Sequence, residues 1–235
     1  MRKRFYVLML VLSFVFVSEA FAENVEQKYV EYLQEATSKF QVGKTAEARE
    51  ILQKAKELIP DRGDAYFLIS LTYGQDEDFM KALEYAYAAV RIAPSYIMVN
   101  GFRLFHSIVS YLGKIGSKYG YNKEIVLSEI YYIGKALEIL SLNLEPELKS
   151  RLPELKSRLM WLINQEASLE KMGEHFNSVT IIDKSSDDLV ALSDEDFKAA
   201  LGIGDKKEVK LPDDGVSIEF KIKYRDKIVE MLKDQ

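Results

Sequence analysis

Apolar residues recur with helical spacing along most of the chain, and between residues 29 and 96 they do so in two similar stretches. KAKELIP ends at Pro60, and AAVRIAP ends at Pro94. A fixed period of about 34 residues is the signature of a helical repeat. Alignment on the prolines predicts two units, 29–62 and 63–96, each built as a pair of antiparallel helices.

Equivalent positions in the two units hold side chains of similar kind. The pairs are Tyr32 with Tyr66, Ala36 with Ser70, Ala48 with Ala82, and Ala55 with Ala89. Helices cross closely only where the side chains between them are small, and the tyrosines are expected to fill the space between units. Gly43 and Gly74 indicate the turns within the units. Each proline should end a helix, because it pushes the residue before it out of the α region.

These positions resemble the tetratricopeptide repeat, a helix-turn-helix unit with aromatic, small and closing proline positions. The second unit matches better, since Ile69 and Tyr73 are also in place. The departures are Glu35 for leucine, Lys39 for an aromatic residue with Phe40 beside it, and Leu52 and Ala86 for the later aromatic residue. The resemblance covers less than a third of the chain and implies an array of antiparallel helix pairs.

Members of this family hold peptides or protein segments in a concave groove, which the first helix of each unit lines. The resemblance implies that nine positions line such a groove here. They are Val30, Leu33, Thr37, Phe40, Gln41, Asp64, Phe67, Leu71 and Gln75. This mixture suits an extended or helical peptide with an apolar anchor. The alternative is that later helices cover Phe40, Phe67 and Leu71, which would leave no groove.

Further helices are predicted after Pro94. Residues 97–112 read as a buried or capping helix, and Gly113, Gly116 and Gly120 predict a flexible loop after it. Asn122 is expected to cap a helix that runs from Ile125 to Leu144. Leucines then recur at helical spacing and predict a second helix packed on the first as a hairpin. They are Leu148, Leu152, Leu155, Leu159 and Leu162.

Prolines and the leucine spacing leave two alternatives open in this helix. Pro146 is expected in a first turn, and Pro153 should either kink the helix or restart it. The leucine seam could pack within the chain, or it could form a homodimer interface.

The pattern changes after His175 and predicts a small α+β appendage. NSVTIID, residues 177–183, reads as a strand, and a capped helix is expected from Ser193 to Gly202. Residues 207–224 alternate apolar and polar side chains around a PDDG turn, which predicts a β-hairpin. A last helix is expected at 225–234.

Residues 1–22 have the pattern of a secretory signal peptide. A basic start, Arg2 to Arg4, precedes an apolar run and the small-residue motif AFA that ends at Ala22. We expect cleavage after Ala22 and a periplasmic or secreted location, with an uncleaved anchor as the alternative. The expected domains are therefore the signal peptide 1–22, a mainly α helical-repeat domain at 23–175, and the α+β region at 176–235.

Composition excludes some classes of partner. The formal net charge of −5 disfavours nucleic acid, because phosphate neutralisation dominates that kind of binding. After cleavage no membrane span is expected. The 235 residues contain no cysteine, so neither a disulfide nor a cysteine-linked lipid can stabilise or anchor the chain.

Few residues of the sequence are candidates for catalysis, and we expect neither an enzyme nor a cofactor or metal site. His106 and His175 lie in different segments and are expected to be packing and helix-end residues. Asp183, Ser185, Asp187 and Asp194 fall on calcium-loop spacing, but Asp188 occupies the position that requires glycine. Trp161 is expected in the core or at its rim, with an interaction anchor as the alternative.

Two functions remain as expectations. The signal peptide and the repeats favour an exported adaptor or assembly factor of a bacterial cell envelope, which would bind a protein or peptide in its groove. The alternative is a structural subunit of an envelope or secretion complex that docks through its C-terminal β region. An enzyme that uses acidic residues of the tail has no paired carboxylates to support it.

Overall fold

A computed structural model describes residues 24–142, 150, 152–182 and 209–233. These residues form eight α-helices and no strand. Helix α1 spans 24–41. The others are α2 Thr45–Leu58, α3 Gly63–Gln75, α4 Phe79–Ile92, α5 Pro94–Tyr119, α6 Lys123–Leu142, α7 Leu152–Ile182 and α8 Ile218–Lys233. The predicted signal peptide lies outside the described residues.

The chain divides into two compact units, called the first unit (Met1–Tyr96) and the second unit (Ile97–Gln235). Both predicted repeats, 29–62 and 63–96, lie in the first unit. The first unit contains α1 to α4, in which α3 packs against both α2 and α4. Its helices therefore pack in adjacent pairs, as the repeat reading predicts. The predicted domain ranges 23–175 and 176–235 stay predictions.

The backbone of the first unit repeats with the same spacing as the two prolines. Helices α2 and α4 begin at Thr45 and Phe79, and they end at Leu58 and Ile92. The carboxyl-terminal caps also match: Ile59 has φ −136° and ψ 85°, and Ala93 has φ −127° and ψ 74°. Each cap donates its N–H to the carbonyl four positions back, at Ala55 and Ala89. The spacing of the prolines is thus matched by equivalent backbone geometry.

The turns inside the two helix pairs are equivalent as well. Gly43 donates to the Phe40 carbonyl, and Glu77, at the equivalent position of the second pair, donates to the Gly74 carbonyl. Both residues have positive φ, 77° at Gly43 and 59° at Glu77. Glycine adopts this conformation freely, whereas a residue with a Cβ adopts it at a cost. The second turn therefore holds backbone strain that the first turn avoids.

The equivalence of these turns predicts opposite responses to substitution. Gly43→Ala should lower the free energy of unfolding by about 1 kcal/mol, because its Cβ would meet no neighbour and only the backbone conformation is penalised. Glu77→Gly should raise it by about 0.5 kcal/mol, since relief of strain exceeds the added entropy of the unfolded chain. Urea titration followed by circular dichroism measures both changes.

The control is the same substitution in a helix. Glu84→Gly, at an exposed position of α4, should lower stability by about 1 kcal/mol. A loss of stability in Glu77→Gly equal to that in Glu84→Gly would contradict the equivalence of the two turns.

Small side chains lie where the helices of the first unit cross. Ala36 of α1, Ala48 of α2 and Ile69 of α3 share one buried cluster, and Tyr29, Ala55 and Ala65 form a second. The predicted crossing alanines, Ala36, Ala48 and Ala55, are all buried. At the start of α4 the Asp78 carboxylate caps the helix by accepting the Lys81 N–H at 3.3 Å.

In the second unit the predicted glycine loop is wrong for two of its three residues. Helix α5 runs through Gly113 and Gly116 to Tyr119, and only Gly120, with φ 94°, lies outside it. A Cβ on Gly116 would overlap the ring of Tyr121. Because Gly116 has no side chain, the Tyr121 ring can pack directly against the helix at this position. Asn122 caps α6 as predicted, since its Oδ1 accepts the Ile125 N–H at 2.8 Å.

The predicted helical hairpin is present, because α6 packs against α7. Leu155, Leu159 and Leu162 of the seam are buried within the chain. Pro153 is the second residue of α7, so the helix restarts there, where a missing N–H costs little. Leu148 and Pro146 lie outside the described residues. His175 lies within α7 and not at its end, which corrects that expectation.

The predicted β elements are wrong wherever the structure describes them. Residues 177–182 belong to α7, and residues 218–224 belong to α8, which also extends over the last helix expected at 225–234. In 218–233 the apolar side chains also recur at helical spacing, and Ser217 caps the helix by accepting the Phe220 N–H at 3.2 Å. The helix expected at 193–202 and the acidic residues 183–196 lie outside the described residues.

Candidate functional site

The nine predicted groove residues lie on two adjacent helices, α1 and α3. Positions 30, 33, 37 and 41 share one face of α1, and positions 64, 67, 71 and 75 share one face of α3. Contacts of Ala36 with Ile69, and of Tyr29 with Ala65, hold these helices side by side. The predicted positions are therefore brought onto neighbouring helices.

Exposure divides these residues into two groups. Val30 is 40 % exposed, and Gln41 and Gln75 are exposed as well. Phe67 is only 7 % exposed, while Leu33 and Phe40 pack against the buried cluster around Leu52. Leu71 and Asp64 are half-buried, and the Thr37 hydroxyl, also half-buried, donates to the Leu33 carbonyl at 2.7 Å. Phe67 is thus part of the core, and Val30 is the most exposed of the apolar side chains in this set.

One end of this face is organised by residues that sequence reasoning missed. The Arg62 guanidinium donates to Glu26 at 2.6 Å and to Asp64 at 3.0 Å, and lies 5.0 Å from the ring centre of Tyr29. The buried Tyr29 hydroxyl accepts the Ala65 N–H at 3.3 Å. Burial and nearby Asp64 raise the pKa of Tyr29 to about 12, so the hydroxyl stays neutral. It satisfies an amide in the first turn of α3, a helix whose N-cap side chain provides no bond.

A second polar surface joins α2, α3 and α4. The rings of Tyr73 and Tyr85 stack at 5.5 Å, with Arg49 4.6 Å from the Tyr73 centroid and Lys56 5.8 Å from that of Tyr85. Arg49 also pairs with Asp76 at 2.5 Å, which ties the second turn to α2. No sequence motif indicates this cluster, because its members come from three helices.

In the second unit a cavity of about 370 Å³ lies between α5, α6 and α7. Its polar lining includes His106, Lys114, Tyr121, Glu129 and Arg158. Arg158 donates Nε to Glu129 at 2.6 Å and Nη2 to the other carboxylate oxygen at 3.1 Å. It also donates to the Tyr121 hydroxyl, which in turn donates to the Gly113 carbonyl at 3.2 Å. These bonds hold the guanidinium in one orientation.

Burial decides the electrostatics of this pair. The Glu129 side chain is 1 % exposed, and its burial raises its pKa above the ordinary value although Arg158 counteracts the shift. Arg158 also lies 4.3 Å from the Trp161 ring centroid, a cation–π distance. Trp161 is therefore a rim residue beside a buried ion pair, as the sequence analysis expected of its position. In these contacts the polar groups of Arg158, Glu129 and Tyr121 satisfy one another.

Other chemical groups do not assemble into a site within the described ranges. There, no cluster of three His, Asp or Glu side chains could hold a metal ion. His106 is half-buried beside Phe102, with ring centroids 6.0 Å apart. Among the described helices, none combines the length and apolarity needed to cross a membrane.

Comparison of the chain with protein-family models and with curated proteins found no match. The candidate site is therefore defined by the face of α1 and α3 alone.

Proposed function

We propose that α1 to α4 form two tetratricopeptide-like repeats that bind a segment of a partner protein, and that the protein is an exported adaptor or assembly factor of a bacterial cell envelope. The observation that supports the repeats most strongly is the equivalence of helix ends, turns and caps between the two helix pairs. The export part of the proposal depends on the amino-terminal pattern of residues 1–22.

The exposed part of the face indicates how a partner would be held. Val30 offers an apolar contact, and the amides of Gln41 and Gln75 can donate to and accept from a peptide backbone. The Asp64 carboxylate is already paired with Arg62, so its charge is partly neutralised. This arrangement favours a neutral, mostly apolar segment over a strongly charged one.

Two exposed valines provide a matched test. Val30→Asp should reduce recovery of the partner at least tenfold, equivalent to about 1.4 kcal/mol of binding, because a charge would replace the apolar contact. Val42, in the turn after α1, is 70 % exposed and lies outside the proposed face. Val42→Asp should leave recovery unchanged. Recovery is measured by quantitative mass spectrometry after capture of the tagged chain from envelope extracts.

Equal recovery with Val30→Asp and the parent chain would contradict the proposed face. Phe67→Ala is a poor probe, because truncation of a buried phenylalanine costs about 3–5 kcal/mol of folding free energy and would confound binding with stability. The structural-subunit alternative relied on a C-terminal β region, and residues 218–224 of that region are helical. It is not pursued.

A further inference from the structure

The carboxyl-terminal segment, residues 209–233, folds its own turn before α8. The Asp213 side chain accepts the Gly215 N–H at 2.8 Å, and the Asp214 side chain accepts the Val216 N–H at 2.9 Å. Lys221 pairs with Asp214 at 2.8 Å, and both side chains are nearly fully buried. In the docked state the segment thus consists of a loop, a buried ion pair and a helix.

This segment docks on α6 and α7 through both apolar and polar groups: Leu211 is buried, and the Tyr131 ring of α6 contacts the rings of Phe220 and Tyr224. Lys221 donates to the Ser128 hydroxyl at 3.0 Å, and Tyr132 donates to Asp214 at 3.2 Å. Further contacts are Tyr224 to Glu138 at 2.6 Å, Arg225 to Glu166 at 2.9 Å and Asn122 Nδ2 to the Val209 carbonyl at 3.4 Å. Burial raises the pKa of Tyr224 well above its ordinary value, so its hydroxyl remains a donor to Glu138.

Close packing against α6 constrains the position of α8, as the charged contacts also do. A Cβ on Gly134 of α6 would lie 2.5 Å from the Tyr224 ring and 2.6 Å from Ile228. The apolar side chains Ile218, Phe220 and Met231 of the segment remain exposed. The charge pairs and this close fit make the contact selective for a segment of this sequence, whichever copy of the chain supplies it.

The chain between α7 and the docked segment is long enough for the segment to reach a second copy of the protein. Residues 183–208 connect Ile182 to Val209, and a connection of this length can span up to about 90 Å when extended. A second copy presents the same face, with the same charges and the same glycine. Exchange of an identical element between copies is a low-cost route to a closed dimer.

We propose that the face formed by Ser128, Tyr132, Gly134, Glu138 and Glu166 is a recognition site for residues 209–233 of a second copy of this chain. Two copies exchange their segments and form a reciprocal dimer, in competition with docking of the segment on its own chain. This interface is separate from the leucine seam, in which Leu155, Leu159 and Leu162 are buried within the chain.

Charge reversal separates exchange from docking within one chain. Arg225→Glu places two acidic groups at the contact, and Glu166→Arg places two cations there, so each variant should be monomeric by native mass spectrometry. In an equimolar mixture, both contacts between the two chains join opposite charges. We expect a one-to-one heterodimer from the mixture and a concentration-dependent homodimer from the parent chain.

The controls keep the outcome decisive. Glu230→Lys, an exposed change on α8, should dimerise like the parent chain. Gly134→Ala blocks the face by sterics but keeps an intact segment, so it should bind the Arg225→Glu chain although neither variant self-associates. This second mixture decides the matter if Glu166→Arg fails to fold by circular dichroism. Folded variants that remain monomeric in both mixtures would overturn the proposal.

Discussion

Arg158→Ala is expected to lower the free energy of unfolding by about 3 kcal/mol at pH 8, because it leaves the buried Glu129 carboxylate without its cation. The loss should be smaller at pH 5. Burial raises the folded-state pKa of Glu129 already, and removal of Arg158 would raise it further. A carboxyl group with a raised folded pKa is accommodated when protonated and destabilises the fold as pH rises through that pKa.

The single tryptophan of the chain, Trp161, provides the measurement. It contacts Arg158, so urea unfolding followed by its fluorescence reports on this site. Lys156→Ala removes an exposed cation from the same helix and should change stability by less than about 0.5 kcal/mol. Glu129→Gln added to Arg158→Ala should remove the dependence on pH. A loss that is equal at pH 5 and pH 8 would show that Glu129 does not carry the effect.

Leu52→Ala should cost about 3 kcal/mol, as expected for truncation of a leucine in a packed core. Leu52 is 1 % exposed and lies among Ala36, Ala48, Ile51 and Ile69, where helices α1, α2 and α3 meet. The equivalent position in the second repeat is the buried Ala86. The first pair therefore depends on a large side chain at a position where the second pair uses a small one. Thermal unfolding followed by far-ultraviolet circular dichroism measures the change.

Two further variants test whether the cost of Leu52→Ala comes from the lost volume in the core. Leu52→Met nearly conserves volume and should cost less than about 1.5 kcal/mol. Val42→Ala, at an exposed turn residue, should be close to neutral. A cost of less than about 1 kcal/mol for Leu52→Ala would contradict the packing described for the first unit.

The C-terminal segment shows why a local pattern can mislead. Alternation along 216–224 fits a strand, yet 218–233 forms a helix whose buried Lys221 and half-buried Tyr224 and Arg225 face α6 and α7. These three inward side chains are polar, and their partners Ser128, Glu138 and Glu166 lie far away in the sequence, on other helices. Prediction from periodicity assumes that the buried face of an element is apolar. For a helix with a polar buried face, that assumption assigns the buried and the exposed side chains the wrong way round.

The glycines of α5 and α6 make the same point. Gly113 and Gly116 predict a flexible loop by residue type, but in the folded chain they are helical and the Tyr121 ring lies on Gly116. Gly134 likewise receives Tyr224 and Ile228. A glycine that provides close approach and a glycine that provides a turn look alike in a sequence, because the difference lies in what packs against them.

The adjacent helix pairs of the first unit, by contrast, were accessible from the sequence alone. Residues 29–96 carry local signals, which are small crossing residues, turn glycine and closing prolines, and each acts within a single helix pair. The sequence also determined the Asn122 cap and the α6–α7 hairpin, whose members are close in the chain. Only the tertiary structure decided which groove positions stay exposed, how Arg158 and Glu129 pair, and where residues 209–233 dock. These features join groups from helices that lie far apart in the sequence. The order of residues along the chain does not show which of these groups are close in space.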